Sequence, residues 1–204
     1  MQRVGTKIRS LKANVSREDA IRFFTSGIGG LTAAFWKGRA RSLAELYLPY
    51  RIYQVRMRNR GREEATFYAI DAVEGTLDLF EFPQLPDELV TLETRNALPC
   101  RTVPERSREL LMNKVRRVVF SRGFIRLKNL ELEATAIPGE VYVPYWVCFR
   151  GGDQIAKLAI LDAVRRKPEG AKVRHLVEEW LKASSFVDSS SESGSAKGFG
   201  RRNL

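Results

Sequence analysis

The sequence predicts an α+β fold of two repeated α-β-β-β units, with antiparallel strands and with the helices packed on one side of the sheet. Three observations predict this fold. The hexapeptide at 45–50, Glu-Leu-Tyr-Leu-Pro-Tyr, recurs at 140–145 as Glu-Val-Tyr-Val-Pro-Tyr. An Asp-Ala-Val triplet follows each copy, at 71–73 and 162–164. Each hexapeptide is also preceded by a segment with the apolar spacing of an amphipathic helix.

The first repeat is predicted to span 15–82, after a basic arm at 1–14. Ser16 is a good N-cap residue and Asp19 stands three positions later, so a helix is expected to begin there. The strands that follow are predicted from alternating apolar and polar residues, and the central strand contains the hexapeptide.

The second repeat is predicted to span 104–184 and to end in a helix at about 169–183. Trp180 lies on the apolar stripe of that helix, which should close the core. Four prolines within 83–104 mark 83–103 as a connector between the repeats. The Ser- and Gly-rich residues 185–204 are expected to form a flexible tail.

The net charge of +11 over 204 residues favours a negatively charged partner. The charge is segregated along the chain. Residues 1–60 carry thirteen basic and three acidic side chains, residues 61–100 carry two and nine, and residues 101–128 carry nine and two. An acidic protein, a larger assembly, or DNA or RNA would each match the basic blocks. A solvated surface with pairing between the basic and acidic segments is the simpler alternative.

Several classes of protein are disfavoured by what the sequence lacks. Cys100, Cys148 and His175 do not have the spacing of a zinc site, and no familiar cofactor or catalytic motif occurs. We therefore expect no metal, no cofactor and no enzymatic activity. No apolar stretch has the length of a membrane span. Two cysteines give no disulfide framework, which favours a cytoplasmic location.

The predicted contact surface for an acidic partner or a nucleic acid combines the helix of the second repeat with the strand that follows the first hexapeptide. Basic side chains there could contact phosphates without reading bases. The prediction requires that helix and strand share one face of the molecule. The residues are Arg51, Arg56, Arg58, Arg60, Arg106, Lys114, Arg116 and Arg117.

The aromatic residues of the two hexapeptides suggest a second kind of site, a groove for a ligand or partner. Because proline cannot donate to a sheet ladder, Pro49 and Pro144 are predicted to lie at a sheet edge or a bulge. The alternative, which strand aromatics favour, is a packed corner. The groove residues would be Tyr47, Tyr50, Tyr142, Tyr145 and Trp146.

Asp71 and Asp162 occupy equivalent positions at the ends of apolar strands. A pseudo-two-fold axis could bring them together as a general acid/base pair. The favoured alternative is that each carboxylate caps the turn after its own strand.

The leading hypothesis for function is a non-enzymatic binding or assembly protein that docks through basic surfaces on a larger, negatively charged partner. One alternative is a nucleic-acid-binding protein that contacts the phosphate backbone. The other is an enzyme that uses the symmetric aspartate pair.

Overall fold

The computed structural model describes residues 5–25, 40–59, 61–121, 130–150 and 157–192, with only the backbone described at 40, 41 and 184–192. The described elements, in chain order, are β1 (Thr6–Leu11), α1 (Arg17–Thr25), β2 (Ala40–Asn59), β3 (Arg62–Asp71), β4 (Phe80–Phe82), β5 (Leu89–Thr94), α2 (Pro104–Ser121), β6 (Glu131–Arg150), β7 (Lys157–Asp162), β8 (Lys167–Pro168) and α3 (Ala171–Glu192). The side chain of Ser16 accepts a hydrogen bond from the amide of Asp19, which confirms the predicted start of α1.

The fold is mostly β, with 49% strand and 27% helix, so the predicted α+β class is wrong. In the described part of the chain, eight strands form one curled, mixed half-barrel sheet. The strand order is β4-β3-β2-β6-β1-β5, with β7 paired to β6 and β8 paired to β7. The β1–β6 pairing is parallel and the others are antiparallel.

The two hexapeptides pair with each other at the centre of the sheet. Leu48 is opposite Val143, its own counterpart 95 positions later in the sequence. Tyr47 is opposite Pro144 and Pro49 is opposite Tyr142, which is the same pair with the copies exchanged. A pseudo-two-fold axis therefore passes through the Leu48–Val143 pair and relates β2 to β6.

The prolines lie in two central strands, not at an edge or bulge as predicted. The carbonyl of Pro49 accepts a hydrogen bond from the amide of Ala72, and the carbonyl of Pro144 accepts one from Ala163. The backbone of each proline therefore points away from the opposite hexapeptide. The nitrogen of each proline faces the outer side of its strand. For Pro49 this is the position between the end of β3 and the bridge at Ala97, and for Pro144 it is the position between β1 and β7. Pro49 cannot donate to the carbonyl of Ala72, which accepts instead from the amides of Arg101 and Thr102 at 2.9 and 3.0 Å.

Each of the first two helices packs on the other repeat. Phe24 of α1 lies in a cluster with Trp146 of β6, whereas Leu111 of α2 lies in a cluster with Tyr53 of β2. The segment before each helix also contacts the other repeat. β1, before α1, pairs with β6, and the bridge residue Ala97, before α2, pairs with β2. The two predicted repeats are thus interlocked and are not separate units.

Helices also lie on both faces of the sheet, which corrects the prediction that they share one. Val173, Leu176 and Val177 of α3 pack in the cluster that contains Tyr145. Trp146, the next residue of β6, points to the opposite face and packs against α1. The predicted role of Trp180 in closing the core is confirmed by its contact with the α3 side of the sheet.

Three predicted boundaries differ from the structure. Within the arm predicted at 1–14, residues 6–11 form β1, which is held by β5. The connector predicted at 83–103 contains β5 and the bridge to β2. The backbone of α3 extends to Glu192, inside the predicted flexible tail. Local composition did not reveal β1 and β5, because these two strands are stabilised by pairing with each other.

Candidate anion-binding surface

The basic helix and the basic strand do not share a face. Tyr53 and Val55 of β2 are buried beneath α2, so Arg56 and Arg58, which alternate with them, point to the opposite side of the sheet. Arg58 is also neutralised there, because it pairs with Glu63 at 3.2 Å and with Glu131 at 3.5 Å. The single surface that the sequence predicted is therefore not assembled.

Two further residues of the predicted contact surface, Arg51 and Lys114, make hydrogen bonds within the fold. The side chain of Arg51 is only 12% exposed and pairs with Glu140 at 3.2 Å. Its guanidinium also donates to the carbonyl of Thr102 at 2.7 Å and to the hydroxyl of Ser107 at 2.8 Å, which ties β2 to the start of α2. Lys114 donates to the carbonyl of Leu77.

Burial lowers the pKa of Lys114, and the cations Lys172 and Arg117 lower it further, whereas the carboxylates of Asp71 and Asp78 raise it. Lys172 is also paired with Asp78 at 3.8 Å. Basic and acidic side chains therefore both act on Lys114, and the positive charge around it is partly offset.

The remaining members of the predicted set are more accessible. Arg106 is exposed and pairs with Glu109 at 2.9 Å, one turn along α2. Arg56, Arg116 and Arg117 are exposed and make no ion pair within the described residues. Arg60 lies outside the described residues.

The exposed side of α2 is therefore the best candidate surface for an anion. Its acidic residues, Glu105 and Glu109, both lie in the first half of the helix, and the second half carries only basic charge. Arg116 also lines a groove of about 510 Å³ between α2 and β6, whose lining includes Arg108 and Leu132 as well as the acidic Glu105 and Glu109. Arg108 donates to the carbonyl of Ala134 at 3.1 Å, so its guanidinium is partly engaged.

Much of the net charge lies elsewhere. Of the 35 basic residues, 24 have described side chains, and of the 24 acidic residues, 21 do. The described side chains therefore contribute +3 to the net charge of +11, and the rest of the chain contributes +8. The described body is close to neutral because its basic and acidic side chains are nearly equal in number.

The five aromatic residues of the predicted groove do not line one surface. Tyr50 and Tyr145 point to the α3 side of the sheet, whereas Tyr47, Tyr142 and Trp146 point to the opposite side. All are buried except Tyr142, which is half-buried, and the indole N–H of Trp146 donates to the carbonyl of Val15 at 3.0 Å. The geometry favours the packed corner.

The hydroxyls of Tyr50 and Tyr145 meet 3.1 Å apart beside the pseudo-two-fold axis. Burial raises the pKa of both phenols, so both remain protonated at neutral pH. The ring of Phe80 packs edge-on against Tyr50, and the guanidinium of Arg165 lies 3.8 Å from the centre of the Phe80 ring. This cluster links the two repeats through side chains.

Asp71 and Asp162 are both fully buried and use their oxygens to hold turns. Asp71 accepts hydrogen bonds from the amides of Glu74, Gly75 and Leu77 at 2.8 to 2.9 Å. Asp162 accepts from the amides of Val164 and Arg165 and forms an ion pair with the Arg165 side chain at 2.5 Å. These contacts favour the capping interpretation over the acid/base pair.

Two further polar groups, Arg165 and Cys100, were not assigned a role from the sequence. Arg165 bridges Asp162 and Glu169, and burial raises the pKa of Glu169 against the lowering effect of Arg165. Cys100 is exposed on the other side of the sheet, and partial burial together with Glu140 raises the pKa of its thiol. The Asp162–Arg165 spacing was a usable signal, but the Cys100–Glu140 contact depends on the tertiary fold.

Within the described ranges, no three His, Cys, Asp or Glu side chains are grouped so that they could hold a metal ion. Among the helices described, none is long and apolar enough to cross a membrane. Comparisons with protein-family models, curated proteins and solved structures found no match. The functional argument therefore depends on the residues of this chain.

Proposed function

We propose that the protein is a non-enzymatic binding or assembly protein that docks on an acidic partner protein through the second half of α2. The observation that carries the proposal is that Arg116 and Arg117 are exposed and form no ion pair with any described residue, in a described body that is otherwise nearly neutral. Lys114 is a third basic residue in the same half of the helix. A surface of this kind attracts carboxylates and is weakened by salt.

The proposed location is the reducing cytoplasm. Both cysteines are free thiols, and Cys100 is exposed. An exposed free thiol persists in a reducing compartment and is vulnerable to oxidation outside it.

The test uses two probes, a ten-residue poly-glutamate peptide and a mixed-sequence oligonucleotide, each titrated at low and moderate salt. We expect Arg116→Glu/Arg117→Glu to weaken peptide binding by about tenfold or more, since two favourable contacts become repulsive. Arg95→Glu/Lys157→Glu is the matched control, because it makes the same change in charge at exposed positions outside α2.

Absence of peptide binding at low salt, or equal losses in the two variants, would overturn the proposal. Tighter binding of the oligonucleotide, lost in the α2 variant only, would instead establish the nucleic-acid alternative. The opposite faces occupied by α2 and by Arg56 and Arg58 argue against that alternative.

A further inference from the structure

The strand β5 lies at one end of the sheet. Within the part of the chain that the structure describes, β1 is its only strand partner. Alternate backbone N–H and C=O groups of β5 therefore point away from the sheet, in the arrangement that accepts an added strand. Val90 is 42% exposed, so the edge also presents apolar surface.

The two faces of β5 differ in chemistry. Thr91 and Glu93 are exposed on one face, whereas Val90 and Leu92 lie on the other. A strand added at the outer edge would place its side chains next to these residues in the same alternation. The matching strand carries basic residues on one face and apolar residues on the other.

The inner edge of β5 already binds a strand of this kind. Lys7 of β1 is opposite Glu93, and Ile8 is opposite Leu92. Just beyond β1, Lys12 pairs with Glu88 at 3.5 Å. The chain itself thus shows which sequence pattern β5 accepts.

We propose that the outer edge of β5 binds an extended basic segment of a partner protein by β-strand addition. Backbone hydrogen bonds would supply part of the affinity, and Glu93 and Leu92 would select alternating basic and apolar side chains, as they do in their pairing with Lys7 and Ile8 of β1. This site is separate from the α2 surface. Its partner segment is basic, whereas the partner proposed for α2 is acidic.

Charged residues also serve to prevent unwanted pairing at sheet edges. The devices most typical of a blocked edge are lysine or proline within the strand, and β5 contains neither. Pro86 lies before the strand and leaves its ladder groups intact. The exposed Val90 is likewise unfavourable on an edge meant to stay free.

The probe is a fluorescent peptide with the sequence of residues 5–12, Gly-Thr-Lys-Ile-Arg-Ser-Leu-Lys, titrated into the full-length protein and followed by anisotropy. We expect saturable binding that Glu93→Lys weakens about fivefold or more, because an attractive contact becomes repulsive. Glu64→Lys, at an exposed acid of β3, is the matched control and should leave binding unchanged.

Two further peptides separate strand addition from simple charge attraction. A Gly-Ser-spaced peptide of the same net charge should bind more weakly. Methylation of every second backbone amide can be placed on either of the two alternating sets of amides, and it should abolish binding for only one of the two sets. Equal binding of all these peptides would overturn the proposal.

The added peptide must also leave β1 in place. Hydrogen exchange of the β1 amides should stay slow in the complex, and fast exchange would show that the peptide displaces β1 and would overturn the proposal. Self-association that Glu93→Lys removes would identify a second copy of the chain as the occupant, which would likewise contradict a basic partner segment.

Discussion

At the scale of single residues, the Tyr50–Tyr145 pair is a fully buried polar contact that joins the two repeats. Both rings are at most 1% exposed, and each hydroxyl is the partner of the other. Removal of one hydroxyl leaves the other buried without this partner, which costs about 1–3 kcal/mol. Removal of both leaves neither hydroxyl unsatisfied.

We therefore predict that Tyr145→Phe lowers the free energy of unfolding by about 1–2 kcal/mol. The double variant Tyr50→Phe/Tyr145→Phe should be no less stable than the single variant, since the two hydroxyls are coupled. Urea denaturation measures both, with Tyr142→Phe as a control outside the pair. Additive losses would show that the hydroxyls do not act together.

Arginine residues that look alike in the sequence have different roles in the structure. Arg51 is an internal strut between β2 and the start of α2, whereas Arg116 is exposed to solvent. Their neighbours in sequence give no warning of the difference. It follows from the packing of α2 against β2, which brings Thr102 and Ser107 to Arg51.

At the scale of elements, α2 is fixed to the sheet by one apolar stripe. Leu111 and Val115 are fully buried against Tyr53 and Tyr68, while Phe120 on the same helix is 57% exposed. The stripe has the three- and four-residue spacing of an amphipathic helix, which the sequence showed. The surface that the stripe covers belongs to the other repeat, which the sequence did not show.

Leu111→Ala should destabilise the protein by about 2–5 kcal/mol, because it leaves a cavity between α2 and the sheet. Phe120→Ala should change stability by about 0.5 kcal/mol or less, since its side chain is largely in solvent. Thermal or urea unfolding of the two variants gives the comparison. A loss at Phe120 as large as that at Leu111 would mean that α2 packs through a different face.

At the scale of the whole molecule, each repeat depends on the other. β1 and α1 contact the second repeat, whereas the bridge residue Ala97 and α2 contact the first. Neither hairpin is covered by the helix that opens its own repeat. A cut in the exposed turn at 83–88 would therefore give two fragments, each of which lacks one helix that packs on its sheet, although the second fragment keeps α3.

We predict that fragments 1–85 and 86–204 do not fold alone and form a stable complex when they are co-expressed. Co-purification through a tag on one fragment, followed by circular dichroism, tests this. Leu48→Asp in the first fragment should prevent the complex, because it places a charge at the centre of the paired hexapeptides. A native-like spectrum from either fragment alone would contradict the interlocked arrangement.

The sequence by itself determined the duplication, the positions of the hexapeptide strands and the amphipathic stripes of the helices, since these depend on local periodicity and internal identity. It also determined the net charge, and it favoured the turn-capping role that Asp71 and Asp162 have in the structure. The tertiary structure alone decided that the hexapeptides pair with each other, that the helices are exchanged between the repeats, and which arginines remain exposed. Those outcomes depend on contacts between residues far apart in the chain, from 51 positions for Arg51–Thr102 to 95 for Leu48–Val143. The pattern of neighbouring residues carries no record of which distant surface will cover them.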